Sequence, residues 1–145
     1  MDLERYFAGE IAVILADGSR APATIMADEV RGNGGEIYRV SLQQGTDLKA
    51  AESKIDFFEA LILLRLDLEK AGSLLHCFGA SKDVYPSGMQ RSMGAAISAH
   101  RMRMGWPSTR QDIVNIFEAD ETVIPSTVTQ QERFRRAWGD SLKSR

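Results

Sequence analysis

The sequence is poor in the residues that most directly announce chemistry. Its 145 residues include one cysteine, two histidines and four prolines. A single thiol, Cys77, makes no intrachain disulfide, and His76, His100 and Cys77 show neither H-x-x-x-H nor C-x-x-C spacing. His76 and Cys77 are adjacent, so on a strand they point to opposite faces and do not readily share an ion. No metal or cofactor is expected. Long apolar runs are also absent: Ile11–Ala16 and Ala60–Leu64, the second inside a charged helical pattern, fall far short of the roughly 18–20 residues that span a membrane. The N-terminal MDLERYFAGE has no apolar signal core, so the reducing cytoplasm is the expected compartment. Nor does one sign of charge dominate: 18 Lys and Arg face 20 Asp and Glu, a net charge of −2. No global field marks a nucleic-acid or strongly basic partner. No internal repeat is visible.

What is present is ordinary globular composition, 43% hydrophobic and 26% charged, at a length that suits one domain. Composition assigns no activity. Gly9–Leu15 (GEIAVIL) is rich in aliphatic residues and leads into Asp17-Gly18-Ser19, a hairpin signal because both central residues tolerate positive φ. The return arm, about Arg20 to Asp28, places Ala21, Ala23, Ile25 and Ala27 on one face. Pro22 cannot donate to a ladder, which predicts an edge strand or a start at Ala23. After the Gly32-Asn33-Gly34-Gly35 turn, Glu36–Leu42 alternates Ile37, Arg39 and Ser41 against Tyr38, Val40 and Leu42. The opening third therefore reads as a three-stranded antiparallel meander.

Ser53-x-x-Asp56 predicts a helix start. Phe57, Leu61, Leu64, Leu68 and Ala71 form an apolar stripe, widened by Ile55, Phe58, Ile62 and Leu66. Glu59, Arg65, Asp67, Glu69 and Lys70 fill the polar remainder, and Gly72 ends the helix. Leu74–Gly79 predicts a central strand and Ser81–Gly94 a loop. Ala95–Met104 and Asp112–Phe117 each predict a further strand. Thr127-x-x-Gln130 and Thr129-x-x-Glu132 are candidate capping boxes for a helix from about Gln130 to Leu142, with Phe134, Trp138 and Leu142 on one stripe. The expected fold is α+β: an antiparallel sheet made of the N-terminal meander plus two or three later strands, one long helix packed across it, and a C-terminal helix.

Catalytic constellations are weak. Cys77 lies between Leu75 and Phe78 in an apolar run, unlike an activated thiol, and nothing in the spacing brings His100 to it. Ser87 in Tyr85-Pro86-Ser87-Gly88-Met89 has a turn context without the G-x-S-x-G elbow. Gly32–Gly35 precedes a strand, not a helix, and lacks the lysine of a phosphate loop. Asp28-Glu29 and Asp120-Glu121 read as solvated charge. The least ordinary stretch is 81–110, which carries Lys82, Arg91, Arg101, Arg103 and Arg110 against Asp83 alone. It also holds Met89, Met93, Met102 and Met104. Flexible methionines with arginine and an aromatic suit a protein-binding surface. The same residues suit an anion or a nucleic-acid backbone, or a core beneath a solvated basic edge.

Phe57-Phe58-Glu59-Ala60-Leu61, followed by Arg65, Leu68-Glu69, Gly72, Cys77 and Gly79-Ala80, leads into Tyr85-Pro86-Ser87-Gly88-Met89-Gln90-Arg91-Ser92-Met93-Gly94 and then Asp112–Phe117. Over about residues 55–118 this order resembles a group of small bacterial proteins associated with immunity in toxin–immunity systems, including contact-dependent growth inhibition. The resemblance implies a non-catalytic cytoplasmic inhibitor that binds a cognate toxin domain, and it supplies no catalytic residues. Tyr85, Ser87, Met89, Arg91 and Met93, with Arg101 and Arg103, are the candidate partner-binding residues. The modest net charge argues for docking by shape, not by nucleic-acid mimicry. The competing expectation is a small enzyme or an anion- or nucleic-acid-binding module built on the basic 81–110 segment, with Arg91, Arg101, His100 and Ser87 in one pocket.

Overall fold

In the computed structural model, which describes residues 2–143, the alternating N-terminal segments form long antiparallel strands. β1 (Asp2–Ile14) turns through Asp17-Gly18 into β2 (Arg20–Gly32), with Gly18 at φ +86°. β3 (Gly35–Gln44) follows the Asn33-Gly34 turn. A fourth strand, β4 (Asp47–Ser53), extends the meander beyond the three expected. Its sequence DLKAAES is largely exposed and has no apolar alternation, so periodicity gives it no signal. The sheet order is β4-β3-β2-β1-β5, which puts β2 inside the sheet and not at an edge. Pro22 fits there because β3 stops pairing at Thr24; opposite Ala12, Pro22 has a neighbouring strand on one side only.

On the inner face Ile25 stands opposite Leu42 and Ala27 opposite Val40, and Ile11 and Val13 extend this apolar row. α1 (Phe57–Glu69) packs on that face and buries Phe57, Phe58, Leu61, Leu64 and Leu68. Asp56, not Ser53, caps it: the carboxylate accepts from the Glu59 amide at 2.7 Å, while Ser53 ends β4 and accepts from the Ile55 amide. At the other end Gly72, at φ +76°, closes a Schellman motif, with Ser73 N–H donating to Leu68 O and Gly72 N–H to Glu69 O. The buried stripe is narrower than the spacing predicts. Ile55 and Leu66 point outward, and Arg65 turns inward and is buried.

The physical reason lies far along the chain. β5 (Leu74–His76) pairs only with β1, so it is a short edge strand and not a central one. A 3-10 turn over Phe78–Ala80 follows it, where the Gly79 amide donates to Ile116 O. The Arg65 guanidinium donates to Gly79 O, to Ser126 O and, at 2.6 Å, to Gln131 Oε1. Gln131 Nε2 in turn donates to the carbonyls of Gly79, Ser81 and Val84. Burial lowers the Arg65 pKa to about 10, so it stays charged at neutral pH among carbonyl dipoles.

The later strands form a separate antiparallel sheet, β6 (Val84–Tyr85), β7 (Ser98–Arg101) and β8 (Ile113–Asn115). The predicted loop between β6 and β7 contains a helix, α2 (Gly88–Met93). α3 (Val128–Lys143) begins at the Thr127–Gln130 capping box, and its Gln131, Phe134, Trp138 and Leu142 row faces inward. No helix among the described residues is long and apolar enough to cross a membrane.

Candidate functional site

The Y-P-S-G-M segment owes its shape to one serine. Ser87 is extended; its Oγ accepts from the Gln90 amide at 3.1 Å while Gln90 Oε1 accepts from the Ser87 amide at 2.7 Å, a reciprocal box that starts α2. Arg91 then reaches back to α1. Its Nε is 2.8 Å from Asp56 Oδ2, its Nη2 is 3.3 Å from Oδ1 and 3.5 Å from Glu59, and the guanidinium lies 5.5 Å from the Phe58 ring centre. Asp56 is fully buried, so one carboxylate both caps α1 and anchors α2.

Beyond α2 the backbone is strained. Ala95 and Ala96 are both left-handed, at φ +54° and +58°, a conformation costing roughly 1–2 kcal/mol per non-glycine residue. Tertiary contacts hold them there: the Ala96 amide donates to Gln90 O, the Phe57 amide donates to Ala95 O, and Ala96 is buried.

This segment forms one wall of a cleft of about 590 Å³, with Tyr6, Glu29 and Tyr38 of the large sheet on the other side and Asp56 and Arg91 between them. Tyr6 enters by way of a β-bulge. Register with β2 slips between Arg5, opposite Asp28, and Phe7, opposite Ala27, leaving Tyr6 as the extra residue. The bulge lets two successive aromatics reach the core cluster, Tyr6 against Phe57 and Phe7 against Phe117. Tyr38 meets Phe57 as well, both tyrosines at 5.1 Å between ring centres. The Tyr6 hydroxyl donates to Glu29 Oε1 at 2.8 Å, and Arg31 Nε donates to Glu29 Oε2 at 2.9 Å. The hydrogen bond to Glu29, with burial, raises the Tyr6 phenol to about 12. The Arg31 bond holds the Glu29 carboxyl below the usual range despite its burial. Ile55 and Met93 form the rim and are 64% and 81% exposed.

Of the residues singled out from sequence, the structure gathers Ser87, Met89, Arg91 and Met93 on α2 and its cap. Met89, 71% exposed, belongs to the same helix. Tyr85 is half-buried, its ring 5.0 Å from Phe58 and capped by the Arg135 guanidinium. Arg101 and Arg103 do not join them. They line a second cleft, of about 660 Å³, beside Asp83, Asp112, Glu118 and Asp120, and the two clefts share no lining residue. Arg101 is held by Thr122 and Asp120 and lies over Phe78. Four carboxylates around two arginines make that cleft a poor anion site. Met102 is core.

His100 packs against Trp138, with Nδ1 3.2 Å from Gln90 Oε1, and burial lowers its pKa. Arg91, Arg101, His100 and Ser87 therefore do not meet in one pocket. Cys77 is buried and its thiol is pushed up to about 11. Among the described residues no group of three or more His, Cys, Asp or Glu could hold a metal ion.

Sequence reasoning missed Tyr6, Glu29, Tyr38, Asp56 and Ala95. The only local signal was Asp56 at a helix start; the rest are brought together by strand register and a bulge. No protein-family model matches the chain. No curated protein matches it.

Proposed function

We propose that this chain is a non-catalytic, immunity-type protein that binds and neutralises a cognate bacterial toxin domain in the cytoplasm, docking through α2 and the cleft beside it. One observation carries this: at α2 the apolar side chains face solvent while the polar ones are committed internally. Met89, Met93 and Ile55 stand open, whereas Ser87, Gln90 and Arg91 are engaged in the cap and the Asp56 anchor. Docking needs apolar area on a rigid frame, and exposed methionines on a pinned helix supply it. The likeness of residues 55–118 to bacterial immunity proteins supports the same conclusion, and the net charge of −2 favours shape over charge mimicry.

The test is protection. Co-expression with the toxin encoded by the gene immediately upstream should restore growth and yield a one-to-one complex. The double variant Met89→Glu, Met93→Glu should weaken that complex by about tenfold or more, because charge replaces buried apolar contact. Its thermal stability should be unchanged, since both side chains are exposed. Absence of protection and of a complex with the wild-type chain would overturn the proposal.

A further inference from the structure

We infer that the cleft between α2 and the large sheet receives a lysine or arginine side chain projecting from the protein partner; this rests on the docking function proposed above and specifies its chemistry.

The polar groups at the floor present acceptors. The Tyr6 hydroxyl donates its hydrogen bond to Glu29 and the Tyr38 hydroxyl donates to Glu36, so each phenol oxygen has only acceptor capacity left for an incoming group. Glu29 accepts one bond on each carboxylate oxygen and has lone pairs left. Of the charged side chains that line the cleft, Glu29 and Asp56 are carboxylates and Arg91 is the cation, while Glu4, Glu36 and Glu59 with Arg31 stand just outside it. Arg91 is itself held by two of those carboxylates. A carboxylate or phosphate entering here would meet net negative charge.

The walls fit the rest of such a side chain. Two tyrosine rings flank the floor, and the rim is Ile55 and Met93. A cationic tip on an apolar stem matches acceptors below and apolar edges above, as long basic side chains do when they bury their methylenes. The frame is rigid, because Tyr6 is set by the bulge and the opposite wall by the left-handed Ala95-Ala96 pair, so little ordering is needed on binding.

The experiment is a titration of the full isotope-labelled chain, followed by backbone amide shifts, with acetyl-Gly-Arg-Gly-amide. Parallel arms use the Lys, Gln and Glu counterparts. Saturable shifts at Tyr6 and Ser92–Ala95 are expected with the Arg and Lys peptides and not with the Gln and Glu ones. Glu29→Gln should weaken binding about tenfold, the loss of one charge-assisted hydrogen bond. Tyr6→Phe, which keeps the ring, provides a second test should Glu29→Gln unfold. Equal shifts from the Gln or Glu peptide, or no saturable shift with either the Arg or the Lys peptide, would each overturn the inference. Its failure is separable from that of the docking function. If the wild type protects cells and Glu29→Gln protects equally well, the cationic side chain is refuted and docking stands. If the wild type forms no complex with the toxin, docking itself falls, whatever the peptide does.

Discussion

A Cβ built on Gly79 would lie 2.5 Å from Leu61 Cδ2, 2.9 Å from Ile116 Cβ and 3.0 Å from Ile116 O, so α1 and the chain after β8 close on a bare backbone. Gly79→Ala should destabilise the protein by about 2 kcal/mol in urea unfolding, the cost of overpacking. Gly139→Ala, with nothing within 4 Å of its Cβ and a helical site, should instead stabilise it by up to about 1 kcal/mol. Tyr6 makes a pH prediction of definite sign. Its phenol titrates near 12 in the folded chain against 10 ordinarily, so the fold favours the protonated form. That stabilisation is complete below pH 10 and is lost as pH rises toward 12. Urea midpoints measured across that range should fall, and Tyr6→Phe should remove part of the fall. Cys77, buried with its thiol near 11, should resist a disulfide reagent at pH 8 in the folded state and react at once in denaturant.

At the scale of elements, α3 is held less by area than by hydrogen bonds. Its apolar row is half-buried, and Gln131 supplies the one fully buried side chain, joining α3 to α1 and to the turn after β5. Gln131→Leu should cost about 2–3 kcal/mol, because it leaves a buried guanidinium short of an acceptor and takes the Nε2 donor away from the Gly79, Ser81 and Val84 carbonyls, of which Gly79 keeps Arg65 and Ser81 keeps the Val84 amide. Trp138 fluorescence during unfolding would report it. α2 depends on its cap: Ser87→Ala should cost about 1 kcal/mol and show as faster amide exchange in Gly88–Met93. Among the elements, hairpins and the two long helices were legible in sequence because their signals are local: Asp17-Gly18, the Asn33-Gly34 turn, the four-and-three spacing from Phe57 to Leu68, and Thr127 with Gln130. β4 and α2 were not, since one lacks apolar alternation and the other spans six residues with two methionines facing solvent.

Across the whole molecule, one hydrophobic cluster runs from Ile11 to Val123 and takes in both sheets and α1. A single calorimetric transition is therefore expected, and two resolved transitions would contradict it. Residues 1–80 carry eight basic and thirteen acidic side chains, so the positive charge is concentrated in the remainder. The candidate cleft lies where the acidic large sheet meets α2. Half of that site was legible: Arg91 and Met93 stood out by composition. The other half was not, because Tyr6, Glu29 and Tyr38 look like ordinary strand residues until register and a bulge set them side by side.

The amino-acid sequence by itself determined the α+β class, the antiparallel hairpins and the helices that bracket the core, since turn chemistry and apolar spacing act over a few residues. Tertiary structure alone decided that the later strands form their own sheet, that Arg65 goes inside and that Asp56 serves two helices. Those outcomes depend on partners 61 and 66 residues away for Arg65 and 35 residues away for Asp56, and burial of a charge is settled only when such distant acceptors and donors arrive.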